Sequence, residues 1–301
     1  MTFVERKISV TFSLGPVGQV APYAYGTFAS TGKNTVTLEG LRIQCDISKV
    51  VVPGMGQAHL RIHGLTLSLL NDLSAIIPVK GDIPQVRFNQ LIINAGDDIA
   101  GMAKVFDGNT TMSTAIDMAG APDSILEVQS AVGSYAAVQS IPVSTFPGTT
   151  SGKQILATLA AMDPALSFEY SGDDFQLDTP YLPGSRRDQI LSVVEAGGVE
   201  CTLDNGALCV WNRYGHRPAN SIPLVSPATG LVGYPTNIGI GAMVKTVFNP
   251  NINVGGLVNI QSSLKFATGT FKVFEASHEI DSQLPGGRWF TTFHAYPYYG
   301  Q

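Results

Sequence analysis

Apolar and polar residues alternate along most of the first third of the chain. Residues 7–14 and 58–63 follow this alternation, which is typical of strands with one buried face. The alternation at 36–47 changes phase at Gly40, which predicts a bulge or sharp bend there. Residues 65–75 have the leucine spacing of a short helix. Further strands are predicted at 86–94, 101–107, 111–118 and 124–130. Several short strands with one helix predict a closed or nearly closed β-barrel.

The pattern changes after residues 142–152, a stretch of Pro, Ser, Thr and Gly that predicts a linker. Gln154-Ile155-Leu156 opens an amphipathic helix that ends near Asp163. Strands are predicted at 166–170 and 175–177, on either side of a Gly-Asp turn.

The same order returns about 35 residues further on. Gln189-Ile190-Leu191 lies in a second predicted helix, with Ser185 as its N-cap and Gly197-Gly198 as its terminator. Two strands joined by an Asn-Gly hairpin turn follow at 199–203 and 207–211. This recurrence predicts a duplicated helix–hairpin unit, two αββ pieces in one small α+β domain.

Strands dominate again after residue 221, at 243–248, 257–264, 270–280 and 289–296. The expected fold is therefore mainly β with an α+β insert. We expect three domains: a β-barrel at 1–140, the α+β insert at 141–215 and a second β-barrel at 216–301.

Composition adds an expectation about assembly. Only 14% of the residues are charged and 44% are hydrophobic, whereas roughly a quarter of residues are charged in a typical soluble domain. The long uncharged stretches, 128–152 and 218–244, are broken by Gly, Pro, Ser and Thr, so neither offers the roughly 20 apolar residues of a spanning helix. Burial between subunits explains the composition better and predicts an obligate oligomer.

Net charge and cysteine content restrict the functional class and the compartment that the sequence predicts. A net charge of -5 argues against a sequence-reading DNA-binding protein, but it is compatible with a channel through which nucleic acid slides. The amino terminus has no apolar signal-peptide core. Cys45, Cys201 and Cys209 form no CxxC pair, and we expect them to be reduced, buried side chains of a cytosolic protein.

No motif predicts an active, metal or cofactor site. Residues 148–154 resemble a phosphate loop only loosely, because three residues instead of four separate the glycines and Gln154 replaces the magnesium-binding hydroxyl. A helix-capping loop is expected there. His59 and His63 flank Arg61 on one face of a strand, where a guanidinium would repel a metal ion, so an exposed strand face is expected.

The acidic pairs Asp97-Asp98 and Asp173-Asp174 each follow a glycine between two predicted strands. Neighbouring carboxylates in a turn point apart, so neither pair fits the facing carboxylates of a glycoside hydrolase. Hairpin turns are expected instead. No serine lies in a G-x-S-x-G nucleophile elbow.

The C-terminal third carries a family resemblance. Gly230-Leu231-Val232-Gly233-Tyr234-Pro235, Phe248-Asn249-Pro250, the Gly255-Gly256 strand start and Pro285-Gly286-Gly287-Arg288-Trp289 together resemble the baseplate hub proteins of tailed bacteriophages. Upstream segments that fit are 38–49, 58–73, 95–98, 105–108 and 181–184.

The resemblance implies a structural role without catalytic residues. Proteins of this family form a homotrimer at the end of the tail tube, and two tube-like β-barrels per chain give a pseudo-sixfold ring that matches the hexameric tube. The implied partners are the tail tube protein, a trimeric tail spike, the tape-measure protein and other baseplate proteins. DNA would pass through the lumen only transiently. The implied location is the virion tail, assembled in the host cytoplasm, without membrane insertion and without a cofactor.

Symmetry matching is the physical basis of this role, because a threefold object can cap a sixfold one if each chain offers two similar docking surfaces. We expect trimer contacts through barrel-edge strands and aromatic anchors at Trp289, Phe290 and Phe293.

Three alternatives remain open at the level of the sequence. A cell-wall hydrolase of the tail tip would need two suitably spaced carboxylates in a cleft. A glycan- or receptor-binding tail protein would use the aromatic tail, which includes Tyr296, Tyr298 and Tyr299. A tail tube protein has a related barrel but generally only one, so the length of this chain favours the hub.

Overall fold

The computed structural model describes residues 4–17, 24–29, 31–74, 89–116, 124–138, 141–163, 165–219 and 221–300. The strands of the first half are β1 Arg6–Ser13, β2 Pro16–Val17, β3 Ala24–Tyr25, β4 Thr35–Leu38, β5 Ile43–Val50, β6 Gln57–His63, β7 Gln90–Asp97, β8 Gly101–Ile116, β9 Ile125–Ala131, β10 Ser144–Thr145 and β11 Thr149–Ser151. Those of the second half are β12 Ser167–Ser171, β13 Gln176–Asp178, β14 Tyr181–Leu182, β15 Val199–Asp204, β16 Ala207–Asn212, β17 Leu224–Val225, β18 Thr236–Asn237, β19 Ala242–Val247, β20 Leu257–Ile260, β21 Gly269–Ser282 and β22 Trp289–Pro297. The helices are α1 Leu67–Leu73, α2 Ser134–Val138, α3 Gly152–Ala161 and α4 Arg186–Gly197.

The chain divides into two compact units that are not contiguous in sequence. The first comprises Met1–Ile47, Gln57–Tyr135 and His278–Trp289, and the second comprises Ser48–Gly56, Ala136–Ser277 and Phe290–Gln301. Strands β5, β21 and β22 each begin in one unit and end in the other.

The first unit is an antiparallel sheet with the strand order β5-β6-β9-β8-β7-β1-β4. Its alternating strands place one face in the core, as the sequence predicted. The side chains buried on this face include Val10, Phe12, Leu60, Ile62, Leu91, Ile93, Leu126 and Val128. Helix α1 lies where the leucine spacing predicted it, with Thr66 as N-cap and with Leu70 and Leu73 buried.

The alternation of buried and exposed side chains changes phase at two places in the first unit, at Gly40 and within β8, and the two changes have different structural causes. Gly40, with φ of 69°, lies in the turn that separates β4 from β5, so the break at this residue joins two strands instead of bulging one. Residues 101–107 and 111–116 form one strand, β8, whose register against β9 shifts between Thr110 and Met112. The extra residue inverts the alternation without ending the strand. The predicted strand residues 86–88 and 117–118 lie outside the described part.

In the second unit, the larger sheet has the order β18-β19-β22-β21, with β20 paired to β21 and β17 paired to β20. Its core contains Trp211, Val244, Val258, Phe271 and Phe293. The four strands predicted in this part of the sequence are all present.

The α+β part of the second unit packs α3 and α4 over a three-stranded sheet of order β12-β16-β15. Ser185 caps α4 in a full capping box with Asp188, and Gly198 ends the helix in the left-handed conformation, as predicted. The hairpin β15–β16 turns at Asn205-Gly206, also as predicted.

The order helix, strand, strand occurs twice, but the two copies pair differently. Strand β12 runs parallel to β16, and β13 pairs with β11, so the first copy does not form the expected hairpin. Residues 142–152, predicted as a linker, contain the short strands β10 and β11, which pair with β14 and β13.

The fold is therefore mainly β with an α+β portion, which confirms the predicted class. The division at 140 and 215 and the closure of each β portion into a barrel stay predictions. No helix in the described residues has both the length and the apolar character that crossing a bilayer requires.

Candidate interaction surface

The register of β19 against β22 separates two faces of the second unit's sheet. Val244 lies opposite Phe293, and Val247 lies opposite Phe290. Because successive side chains of a strand point to opposite faces, the first pair faces the core and the second faces outward. Phe293 is 1% exposed in the core, whereas Val247 is 45% exposed.

The outward face carries aromatic rings with charged neighbours. The Lys245 ammonium lies 4.5 Å from the centroid of the Phe290 ring, a cation–π contact. Phe274 on β21 stacks on Tyr296 with ring centroids 5.9 Å apart. His294 Nδ1 lies 2.8 Å from Glu275 Oε2.

The segment 230–240 forms the edge of this sheet. It runs beside β19 through hydrogen bonds from Val232 N to Lys245 O and from Val247 N to Gly230 O, both 2.8 Å. The segment carries exposed apolar side chains, of which Tyr234 is 76% and Ile240 71% exposed. Pro235 is buried.

We call the outward face of β19 and β22 together with the edge 230–240 the apolar edge surface. An edge strand presents unpaired backbone groups, and contiguous exposed apolar side chains mark protein–protein contacts. This surface is therefore the candidate interaction surface among the described residues.

The three aromatic residues predicted as interface anchors occupy different environments. Phe290 is half-buried on the apolar edge surface. Phe293 packs in the core of its own unit, and Trp289 is 4% exposed with the Arg6 guanidinium 5.7 Å from its ring centroid. Sequence reasoning did not single out Tyr234 and Ile240, although both lie in or beside the Gly230–Pro235 segment that carries the family resemblance. Their apolar character in a stretch rich in Gly and Pro was the available signal.

The motif Pro285-Gly286-Gly287-Arg288 closes the turn between β21 and β22. Arg288 N donates to Asp281 Oδ2 at 2.8 Å, and its guanidinium pairs with Asp281 and Asp46. The hydrogen bond to Asp281, together with the pairing to Asp46, raises the pKa of Arg288. The motif is structural, holding the hairpin of the first unit in place.

The loop that resembles a phosphate loop, at residues 148–154, and the acidic residues Asp97 and Asp174 have structural roles. The Oγ of Ser151 caps α3 by accepting from Gln154 N at 3.1 Å, and Asp174 Oδ1 accepts from Lys153 N at 3.0 Å. These contacts fill the helix start that a phosphate would need. Asp97 Oδ1 accepts from the amides of Ile99 and Ala100, which is the expected turn.

His59 and the three cysteines also have structural roles. His59 Nε2 lies 2.6 Å from Glu127 Oε1 on the strand face, and the described residues contain no cluster of His, Cys, Asp and Glu that would hold a metal. Cys45, Cys201 and Cys209 are buried and free. Burial raises the pKa of all three thiols, that of Cys201 to about 12.

A buried charge network stabilises the second unit. Asp204 is 4% exposed and forms ion pairs with two cations, Lys49 with Nζ 2.8 Å from Oδ1 and Arg217 with Nη1 2.7 Å from Oδ2. Burial alone would raise the pKa of Asp204, but the two cations and their hydrogen bonds more than offset it, so the pKa is lowered. Arg217 continues the network to Glu169 at 3.2 Å. Every charge in it has a partner, so it is a structural network.

Comparison with known proteins identifies the family of this chain. Residues 25–284 match the sequence model of the family described as baseplate hub gp41. The chain belongs to the baseplate hub gp41 family. It is accordingly a component of a bacteriophage tail. Among curated proteins, none matches the sequence.

Solved structures share the fold at low sequence identity. The tail protein from Neisseria meningitidis MC58 superposes with a TM-score of 0.61 at 10% identity, covering 97% of this chain and 96% of that one. The 43 kDa tail protein of prophage MuSo2 from Shewanella oneidensis gives 0.59 at 9% identity, covering 97% of each chain. The E. coli c3393 protein, a component of the type VI secretion system, gives 0.57 at 10% identity over 86% of this hub chain and 74% of that protein. This baseplate hub protein therefore shares its fold with tail proteins along nearly its whole length.

Proposed function

We propose that this chain is a purely structural hub subunit that forms a homotrimer. Three chains would build a pseudo-sixfold ring that joins the hexameric tail tube to the trimeric spike, with DNA passing through its lumen. Each unit would supply one tube-like β-barrel to the ring, and assembly would take place in the host cytoplasm. The tape-measure protein and other baseplate proteins would be further partners.

One observation carries the proposal: a member of the baseplate hub family exposes an apolar edge surface on a sheet whose opposite face is packed in the core. Val247, Tyr234 and Ile240 are each more than a third exposed, although their neighbours on β19 lie in a packed core. A ring requires two different surfaces of each chain to meet head to tail, and sheet edges suit such contacts. Phe290, paired with Val247 across the strands, is the anchor we assign to this interface.

Phe293 and Trp289 would support the same interface indirectly, because their burial fixes the strand that presents Phe290. A structural role also agrees with the local chemistry. Asp97 lies in a turn, Asp174 accepts from the first turn of α3, and the buried carboxylate of Asp204 is paired with two cations.

Native mass spectrometry of the whole chain at micromolar concentration tests the assembly. We expect a mass three times that of one chain, and negative-stain images with a ring around a central hole. A stable monomer under these conditions would contradict the proposal.

A pair of variants tests the surface. Tyr234→Ser removes an exposed ring from the apolar edge surface, and Tyr181→Ser removes a ring of similar exposure, 76% against 65%, from β14 of the same unit. An interface aromatic residue contributes about 2 kcal/mol, so Tyr234→Ser should weaken association roughly thirtyfold while Tyr181→Ser leaves it unchanged. Equal effects of the two variants would remove the apolar edge surface from the interface.

A further inference from the structure

A mixed polar and aromatic cavity in the second unit has no part in the proposed assembly. Its volume is about 550 Å³, within the range of small-ligand sites. The end of β12, the end of α4 and the loop after β16 form it, and its lining includes Asp173, Arg213, Tyr214, His216 and Tyr298.

The backbone builds one wall of the cavity around Asp173. With its amide oriented so that the nitrogen faces Asp173 O and the oxygen faces Asp173 N, Asn212 donates to Asp173 O at 3.3 Å and accepts from Asp173 N at 3.1 Å. Gly172, with φ of 115°, makes this contact possible, because a Cβ at that position would lie 2.5 Å from Asn212 Cγ. Gly198 ends α4 in the left-handed conformation at the same cavity. These features fix the main chain of Asp173 on the wall of the cavity, and its exposed side chain extends from that position.

The polar groups of the cavity are available to a ligand. Asp173 and Arg213 are both exposed, and neither forms an ion pair with another residue in the described part of the chain. His216 Nδ1 lies 3.0 Å from Arg217 O, and since a carbonyl only accepts, Nδ1 carries the hydrogen. In the neutral ring Nε2 is then an acceptor. The cavity therefore offers acceptors and donors side by side.

Aromatic rings complete the lining. Tyr214 is 71% exposed at the cavity, and Tyr298 meets the His216 ring edge-on with centroids 5.6 Å apart. An exposed ring beside paired donors and acceptors suits a ligand that has one apolar face and several hydroxyl groups.

The charges of the lining favour a neutral ligand over an anion or a cation. The Asp173 carboxylate and the negative end of the α4 dipole disfavour an anion. The Arg213 guanidinium disfavours a cation. We propose that this cavity binds a neutral saccharide, with Tyr214 stacked on a sugar ring and with Asp173 and Arg213 on its hydroxyl groups.

Saturation-transfer NMR and calorimetry on the whole chain test the site with three probes: maltotriose, triacetylchitotriose and 3′-sialyllactose. We expect at least one neutral probe to bind and the anionic probe to bind at least tenfold more weakly. Tyr214→Ala should weaken the neutral probe about tenfold through the lost stacking, while Tyr214→Phe keeps it. Tyr181→Ala, which removes an exposed tyrosine away from the cavity, should leave binding unchanged.

Arg213→Ala is the second variant, and it should also weaken binding because the guanidinium loses its hydroxyl partners. The proposal is overturned if no neutral probe binds at millimolar concentration, if binding survives both Tyr214→Ala and Arg213→Ala, or if the sialylated probe binds equally well. None of these results depends on trimer formation. The proposed trimer is tested separately, by native mass spectrometry.

Discussion

Replacing Asp204 by Asn should strongly destabilise the second unit. The side chain of Asp204 lies between Lys49 and Arg217, and both it and Lys49 are buried, with side-chain exposures of 4% and 7%. Asn keeps the shape but removes the charge. Arg217 retains Glu169, whereas no other described residue pairs with the Lys49 ammonium.

Loss of one partner from a buried pair costs about 3–5 kcal/mol, because the remaining charge is left uncompensated in a poorly solvated site. For a unit of this size, that corresponds to a Tm lower by about 6–20 °C. Asp178→Asn is the matched control. Asp178 is exposed and accepts from Thr149 Oγ1 at 2.5 Å, a bond that an Asn oxygen retains, so its Tm should change little.

Two further measurements separate the effect of the Asp204 charge on stability from the effect of the side chain's shape. The folded-state pKa of Asp204 is lowered, so its stabilising effect is present above its unfolded pKa of about 3.9 and is lost as the pH falls through the folded value. The difference between wild type and Asp204→Asn in urea unfolding should therefore be constant above about pH 5 and shrink below about pH 4. The double variant Lys49→Met/Asp204→Asn should be more stable than Asp204→Asn alone, since the orphaned ammonium is gone.

If Asp204→Asn melts within the error of Asp178→Asn at pH 7, the buried carboxylate does not stabilise the unit. If the double variant is less stable than the single one, Lys49 stabilises the unit without Asp204, which contradicts the same prediction.

Three smaller perturbations test local features. Ser185→Ala removes the capping box of α4 and should cost about 1 kcal/mol in urea unfolding, whereas Ser192→Ala on the exposed face of the same helix should not destabilise it. Gly255→Ala should cost roughly 1–3 kcal/mol, because its Cβ would lie 2.6 Å from the Trp211 ring; Gly239→Ala has a similar φ but open space around it, so thermal melts should show a smaller loss. The three thiols should resist iodoacetamide at pH 8 in the folded protein and react fully in urea, as mass spectrometry would report, because they are buried and their pKa values are raised. Rapid labelling of the folded protein would contradict their burial.

Local patterns were predictable from the sequence where one physical rule decides the outcome. The strand alternation around Val10 and Leu60 follows from a single buried face, and the end of α4 at Gly198 follows from the freedom of glycine in the left-handed region. The turn at Asn205-Gly206 follows in the same way.

Pairing between distant segments was not predictable. Strand β13 follows β12 after a Gly-Asp turn that would suit a hairpin, yet β12 pairs with β16 and β13 pairs with β11. Those choices depend on which apolar faces meet in three dimensions, and periodicity does not record this. The Asp204 network was unpredictable for the same reason, since Lys49 lies far from Asp204 in sequence and the charges become partners only through the fold.

Each of the two units is built from segments that lie far apart in the sequence, so its stability depends on more than one part of the chain. The first unit takes His278–Trp289 from the C-terminal region, and the second takes Ser48–Gly56 from the N-terminal region. Arg288 shows the consequence, because it pairs with Asp46, which lies 242 positions earlier in the chain. Removing the last two strands would therefore take away part of the first unit as well as the strand that carries Phe290. A subunit built this way links the stability of each unit to residues at both ends of the sequence. Neither unit is therefore complete until segments from both parts of the chain have folded into it.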